Sequence, residues 1–159
     1  MSRWQISYNG LLMGPGTPYR ITRVTGIRGL PAMSQASTQK YNADGYFPGY
    51  QFQDERAIAI DITVGRYTGT TIEQNLQALA NAIVPVFDPD DMLPLNYNIL
   101  ADTSDSEGSS DTGSGTVTCR PVGPTSFPID TAAAGLGYYP LTLQFLASSP
   151  IVNYGEGDL

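Results

Sequence analysis

The chain has 159 residues, with eight Lys and Arg against fifteen Asp and Glu, no histidine and one cysteine, for a formal net charge of −7. A length near the modal domain size lets one core bury about two-thirds of the surface the unfolded chain exposes. The acidic balance argues against a protein that grips nucleic acid through clustered cations, and the missing histidine removes the usual general base, the triads built on it and the commonest metal ligand.

Hydrophobic residues make up 41% of the chain, which supports globularity, but charged residues only 14%, well under the roughly one quarter usual for soluble domains. Gly, Pro, Ser, Thr and ten tyrosines take their place. That mix fits a β protein with long loops and large protein-facing surfaces, not a monomeric helical enzyme. The few cations are scattered, Arg20, Arg23 and Arg28 being the nearest to a cluster. Cys119 has no partner for an internal disulfide and reads as a small buried hydrophobe. The N-terminal residues lack the apolar core of a secretory signal, and no run approaches the ~18 apolar residues of a membrane span, so a soluble subunit is expected.

In chain order, Trp4-Gln5-Ile6-Ser7-Tyr8 alternates large and polar side chains before Asn9-Gly10, the strongest short turn signal, which predicts a first strand ending there. A second strand is predicted from Tyr19 to about Thr25, after the Gly14-Pro15-Gly16 loop, because β-branched residues dominate it. Its facing pattern is less regular. Residues 26–53 show no sustained period, yet carry Tyr41, Tyr46, Phe47, Tyr50 and Phe52 among glycines, prolines and polar residues. So long a structureless loop in a compact domain is functional or a misread element, and its aromatics argue against disorder. It is expected to be an arm that docks on something, with those five aromatics as its candidate contacts.

Residues 56–64 give the clearest strand, with Ile58, Ile60, Ile62 and Val64 on a core face and Ala57, Ala59, Asp61 and Thr63 on the other. The second face is small enough for another surface to lie close against it; plain solvent exposure is the alternative. A helix is predicted over residues 71–84, opened by Thr70 and Glu73 in capping-box spacing and stopped by Pro85. Ile72, Leu76, Leu79, Ala80 and Ile83 form its apolar stripe, so it should lie on a sheet. Further strands are expected at residues 94–100, 117–122 and 138–147, the last with Tyr139, Leu141, Leu143 and Phe145 on one face and Pro140 marking an edge. The acidic, Gly- and Ser-rich stretch 102–115 between the first two reads as a flexible loop, and residues 151–159 as loose. The result is one domain of six or seven strands and one helix.

Two acidic groups test for a cation: Asp88, Asp90 and Asp91 in one turn, and Asp102, Asp105, Glu107 and Asp111 in the loop. Neither has the ligand spacing of a calcium loop, so both read as solvated charge and no metal is expected. The glycine turns at residues 14–16 and 135–137 lack a P-loop lysine and the dinucleotide fingerprint, so no nucleotide cofactor is expected. Spacing does not test a pair of catalytic carboxylates drawn from distant positions, but no motif singles one out. No catalytic residue is therefore named, and the chain is read as a non-enzyme. The tyrosines suit burial against protein better than sugar stacking, which normally needs convergent polar groups beside the ring.

The order of these features resembles the first domain of siphophage distal tail proteins. The resemblance spans about residues 4–154: a strand ending in Tyr8-Asn9-Gly10, a segment 19–26 reaching a glycine, an arm containing Asp44-Gly45, the strand 56–64, a helix, and a closing Leu141-Thr142-Leu143-Gln144-Phe145-Leu146-Ala147-Ser148-Ser149-Pro150. It implies a mainly β, tail-tube-like sandwich or split barrel flanked by one helix, with residues 1–154 as a single ring-forming domain and 155–159 as a loose tail. It also implies a structural virion protein, part of a tail tip or baseplate assembled in the host cytoplasm, in which six copies form a ring between tail tube and tip hub. The implied partners are further copies of the chain, the tail tube protein, the tip hub protein and, as a further candidate, the tape measure protein; no membrane is involved. DNA would cross the lumen without specific binding, and an acidic lumen would repel it. The arm 26–53 would lap a neighbour, and the face of Ala57, Ala59, Asp61 and Thr63 would meet a neighbour or the lumen. Many members carry a second, carbohydrate-binding-like domain, whereas this sequence stops soon after Ser149-Pro150, as a minimal member or with later residues omitted, so sugar binding is not carried over. A tail tube or other minor tail protein of the same fold, and a small carbohydrate-binding module, are the alternatives.

Overall fold

The computed structural model describes residues 3–27, 33–35, 38–39, 46–47, 51–53, 55–100, 111–124, 127, 135–147 and 153–154. β1 (Arg3–Tyr8) and β2 (Leu11–Met13) form a hairpin across Asn9-Gly10, where both residues have positive φ, 46° and 77°. That is the turn geometry an Asn-Gly pair favours between twisted strands. β3 (Tyr19–Thr25) follows, then β4 (Met33–Gln35), β5 (Thr38–Gln39), β6 (Tyr46–Phe47) and β7 (Gln51–Gln53), and the long β8 (Arg56–Gly65). Helix α1 (Ile72–Ala82), a 3-10 turn (Pro89–Asp91), β9 (Leu93–Leu100), β10 (Asp111–Gly123), β11 (Tyr138–Ala147) and β12 (Asn153–Tyr154) complete the set.

One antiparallel sheet runs in the order β2-β1-β9-β10-β11-β8-β3, with β12 added beside β10. It curls on itself. The rings of Tyr8 on β1 and Phe145 on β11 lie edge to face with centroids 4.9 Å apart, although three strand spacings, roughly 14 Å in a flat sheet, separate those strands. At the open seam the Gly14 amide donates to the Tyr19 carbonyl at 2.9 Å, bringing the outer ends of the sheet together. The result is a split barrel whose interior holds Ile6, Tyr8, Met13, Tyr19, Ile58, Ile60, Ile62, Val64, Leu95, Tyr97, Val117, Cys119, Tyr139, Leu143 and Phe145 in one cluster. Fully burying an aliphatic side chain of this kind contributes about 1.5–3 kcal/mol.

Helix α1 joins that cluster through Leu79, with Ile72, Leu76 and Ile83 packed at its margin. Its start lies one residue later than the sequence suggested. Thr71, not Thr70, is the N-cap, and the box closes with Gln74 in place of Glu73: Gln74 N donates to Thr71 Oγ1 at 3.3 Å and Thr71 N to Gln74 Oε1 at 3.0 Å. Both pairs have the required spacing, and only the backbone decides which one caps. The buried face also differs from the apolar stripe, because Asn75 is 4% exposed while Ala80 is half-buried. Asn75 Nδ2 donates to the Gly65 carbonyl at 2.8 Å, and Tyr19 Oη to the Asn75 carbonyl at 2.7 Å. Asn9 Nδ2 holds the other helix end through the Ala82 carbonyl at 3.0 Å. Among the described residues no helix is long and apolar enough to cross a membrane.

β10 corrects a second expectation. It begins at Asp111, so residues 111–115 of the stretch expected as a flexible loop are strand paired with β9. Its inward positions are Gly113, Gly115, Val117 and Cys119, and the two glycines carry no side chain to mark the period. Gly115 lies opposite Tyr97, whose ring packs against Trp4 at 5.8 Å. Asn153–Tyr154, within the stretch expected to be loose, pairs with Thr116 and Gly115. The irregular facing of β3 has a cause in a bulge between Ile21 and Arg23, which puts Thr22 and Arg23 both outward and returns Val24 toward the core. Over residues 138–143, β11 has β8 as its ladder partner and β10 does not reach it, so Pro140 sits where no second ladder needs its amide.

Candidate functional site

The outer face of β8 and the arm that precedes it are the surfaces singled out for subunit contact. Within residues 26–53, β4 pairs antiparallel with β7, and β5 with β6 inside them, so what the sequence left without period is two nested ladders of a hairpin. Among the described residues neither ladder joins the main sheet. Tyr46 and Phe47 form β6 and Phe52 lies in β7, whereas Tyr41 and Tyr50 fall outside the described residues.

Arg56 and Gly26 fix the root of this hairpin. Arg56 is 7% exposed, and its Nη1 donates to the carbonyls of Gly26 at 2.8 Å and Ile27 at 3.3 Å. A charged donor spent on two backbone acceptors ties the outgoing chain to the strand by which it returns. Gly26 has φ +90°, and a Cβ there would run into the carbonyl oxygen of Ala57. Sequence reading placed Arg56 only as a strand start.

Along β8 the four outward residues differ in surroundings. Ala57 is exposed, and Ala59, Asp61 and Thr63 are half-buried by neighbouring strands. Asp61 accepts from Thr142 Oγ1 at 2.6 Å, and its other carboxylate oxygen lies 3.9 Å from Arg23 Nε. Thr22 Oγ1 donates to the Asp61 carbonyl and Thr25 Oγ1 to that of Ala59, so threonines of β3 cover the strand's backbone. Beside this polar half, Ala57 and Ala59 floor an apolar groove of ≈ 430 Å³ walled by Thr25, Val122, Gln144 and Leu146. The groove exists because two adjacent outward positions carry only methyl groups between larger neighbours. Val122 stands at the β10 bulge between Pro121 and Gly123 and is 43% exposed.

The titratable groups moved by burial all face inward. Burial first, and then the neighbouring Cys119 thiol, pushes Tyr8 up to about 12; burial raises Tyr19 and pushes Cys119 up to about 12. These groups keep their protons far above neutrality, and the Cys119 thiol is not poised as a nucleophile. Of the acidic turn, Asp88 Oδ1 accepts from the Asp90 amide at 3.0 Å, a local turn closure. Among the described residues no three acidic or cysteine groups converge as a metal site; Asp102, Asp105 and Glu107 lie outside them, and of Asp111 only the backbone is described.

One surface feature had no counterpart in the sequence reading: Phe87, 93% exposed, between half-exposed Val84 and the acidic 3-10 turn. Its signal was a lone aromatic between the helix-stopping Pro85 and Asp88.

No family model matches the sequence, and no curated protein matches it. Among solved structures, the Dit protein (gp 19.1) of SPP1, described as a paradigm of hub adsorption apparatus in Gram-positive infecting phages, matches with a TM-score of 0.60 at 16% identity. The match covers 94% of this chain and 51% of Dit, so the chain spans about half the length of that protein. Its mainly antiparallel β architecture with one flanking helix is the fold found in the siphophage distal tail protein Dit.

Proposed function

We propose that the chain is a structural, non-enzymatic subunit of a long-tailed phage's tail tip, six copies closing a ring between the tail tube and the tip hub around the DNA channel. The observation that carries this reading is the fold likeness to Dit across 94% of the chain. Two features of the chain support it. Among the described residues the ladders within 26–53 are not hydrogen-bonded into the main sheet, and the outer face of β8 offers a small-residue surface with an apolar groove. A closed ring of heterologous contacts needs two such different surfaces on each copy.

In this reading, the hairpin, with Tyr41, Tyr46, Phe47, Tyr50 and Phe52, laps a neighbour, and the tube, hub and tape measure proteins dock on the ring's two sides. The formal charge of −7 then serves passage, because a negative lumen repels the phosphate backbone.

Negative-stain microscopy of the purified chain tests the assignment. Single or double rings with six-fold symmetry are expected. Long stacks of rings would mark a tail tube protein of the same fold, and a monomer that binds sugar would mark a carbohydrate-binding module.

A further inference from the structure

The first hairpin turn and the end of helix α1 meet at one side chain. Asn9 Nδ2 donates to the Ala82 carbonyl at 3.0 Å, across 73 residues of chain. Ala82 is the last residue of the helix, where carbonyls lack intrahelical partners, and the last turn holds no basic residue to answer them. Asn9 supplies a donor there. It is also the only asparagine of the chain followed by glycine, and both residues are exposed at a turn with φ of 46° and 77°. Nothing stands within 4 Å of where a Gly10 side chain would begin, so the turn is open to solvent on that side. One asparagine therefore combines a structural bond with the small, unhindered neighbour that makes asparagine chemically labile.

We propose that Asn9 is a deamidation site whose rate is set by the seat of helix α1, and whose product unseats that helix. In the reaction the Gly10 amide nitrogen gives up its proton and attacks Asn9 Cγ. The new C–N bond closes a cyclic imide, while the Cγ–Nδ2 bond breaks and the side-chain nitrogen takes up a proton and leaves as ammonia. Water then adds at either imide carbonyl and opens the ring to aspartate or isoaspartate. Attack requires Cγ to swing onto the Gly10 nitrogen. The folded chain resists that on two counts: the pairing of Tyr8 with Leu11 fixes the turn, and the bond to Ala82 holds the side-chain amide toward the helix. Reaction therefore proceeds from a locally opened state in which the helix end has lifted. Afterwards the return is blocked. Aspartate at residue 9 has no N–H for the Ala82 carbonyl and sets a negative charge at the negative end of the helix dipole. Isoaspartate also adds a backbone carbon to a two-residue turn whose positive φ angles match the twist of β1 and β2. The turn is thus a one-way switch of the single chain, independent of the ring reading.

Peptide mapping of the full chain, aged in warm, mildly alkaline buffer with and without denaturing urea, tests the site. Conversion at residue 9 is expected in both, with isoaspartate among the products. It should run about tenfold or more slower in the folded chain, because the reactive state must first open. Ile83→Ala trims a half-buried contact beside the helix end and should speed conversion in the folded chain severalfold; Ile83→Val, a milder trim, serves if the alanine variant does not fold. Thr71→Ala removes the cap at the opposite end of the helix and controls for general loosening, so it should speed conversion less. Asn9→Asp, made directly, should lower the thermal midpoint more than Asn9→Gly, which loses the donor but adds no charge. A folded chain that converts as fast as the denatured one, or not at all over many half-lives of the denatured one, would overturn the site. Equal acceleration by the Ile83 and Thr71 variants, or an Asn9→Asp chain as stable as the parent, would overturn the part given to the helix seat.

Discussion

The two faces of β8 use the same ten residues for opposite purposes. Ile58, Ile60, Ile62 and Val64 are at most 1% exposed and belong to the barrel core, while Ala57, Ala59, Asp61 and Thr63 meet threonines, a long ion pair and a groove. The inner face is filled, the outer face is shaped. Burial of four β-branched side chains sets the register of β8 between β3 and β11, because a one-residue slip would carry all four into water. With register secured from inside, the outer residues need not fill a core. Small side chains there lower the strand's surface locally and let another surface approach.

Ile60→Ala is the largest expected blow to that division. Ile60 is 0% exposed at the centre of the cluster, so truncation should cost about 2–5 kcal/mol, transfer and cavity contributions together. On the neighbouring outward position, Ala59→Ser should stay within about 0.5 kcal/mol. Urea titration of both variants measures the contrast. Equal losses at the two positions would show that the outer face also carries stability, and would end the comparison.

Much of this division was legible in the sequence, and the gaps have physical causes. The strict alternation of residues 56–64 and the Asn9-Gly10 turn reproduce in the fold because each signal is local and unopposed. β10 was legible only from Val117 onward, since glycines at two inward positions erase the period that marks a strand. The hairpin was hidden because strands of two or three residues show no periodicity at all. Asn75 was overlooked on the helix for being polar, although its amide supplies the bond that seats the helix on β8. The groove required knowing that Val122 and Leu146 stand beside Ala57, which is a fact of strand order and not of any stretch of chain.

Gly26→Ala probes the boundary between barrel and hairpin. The backbone there has φ +90°, and an added methyl meets the Ala57 carbonyl oxygen. The conformational cost alone is about 1–2 kcal/mol for an L-residue, and relief requires the hairpin root to move away from β8. Hydrogen exchange should rise at Ile27 and Arg56, where the guanidinium holds the root, and stay unchanged at Leu95 and Val117 in the opposite wall. Exchange that rises uniformly would mean that root and barrel open as one unit.

The smallest effect belongs to the outer ion pair. Arg23 Nε stands 3.9 Å from Asp61, the arginine well exposed and the carboxylate partly so, and surface pairs of this kind contribute about 0–1 kcal/mol. Arg23→Ala should therefore leave the urea midpoint nearly unchanged, with Asp61 still held by the Thr142 hydroxyl at 2.6 Å. If the outer face exists for association, the same substitution should lower the assembled fraction, and added salt should lower it in the parent chain by screening the same charges. A loss of stability without a loss of assembly would reverse the roles assigned to the two faces of β8.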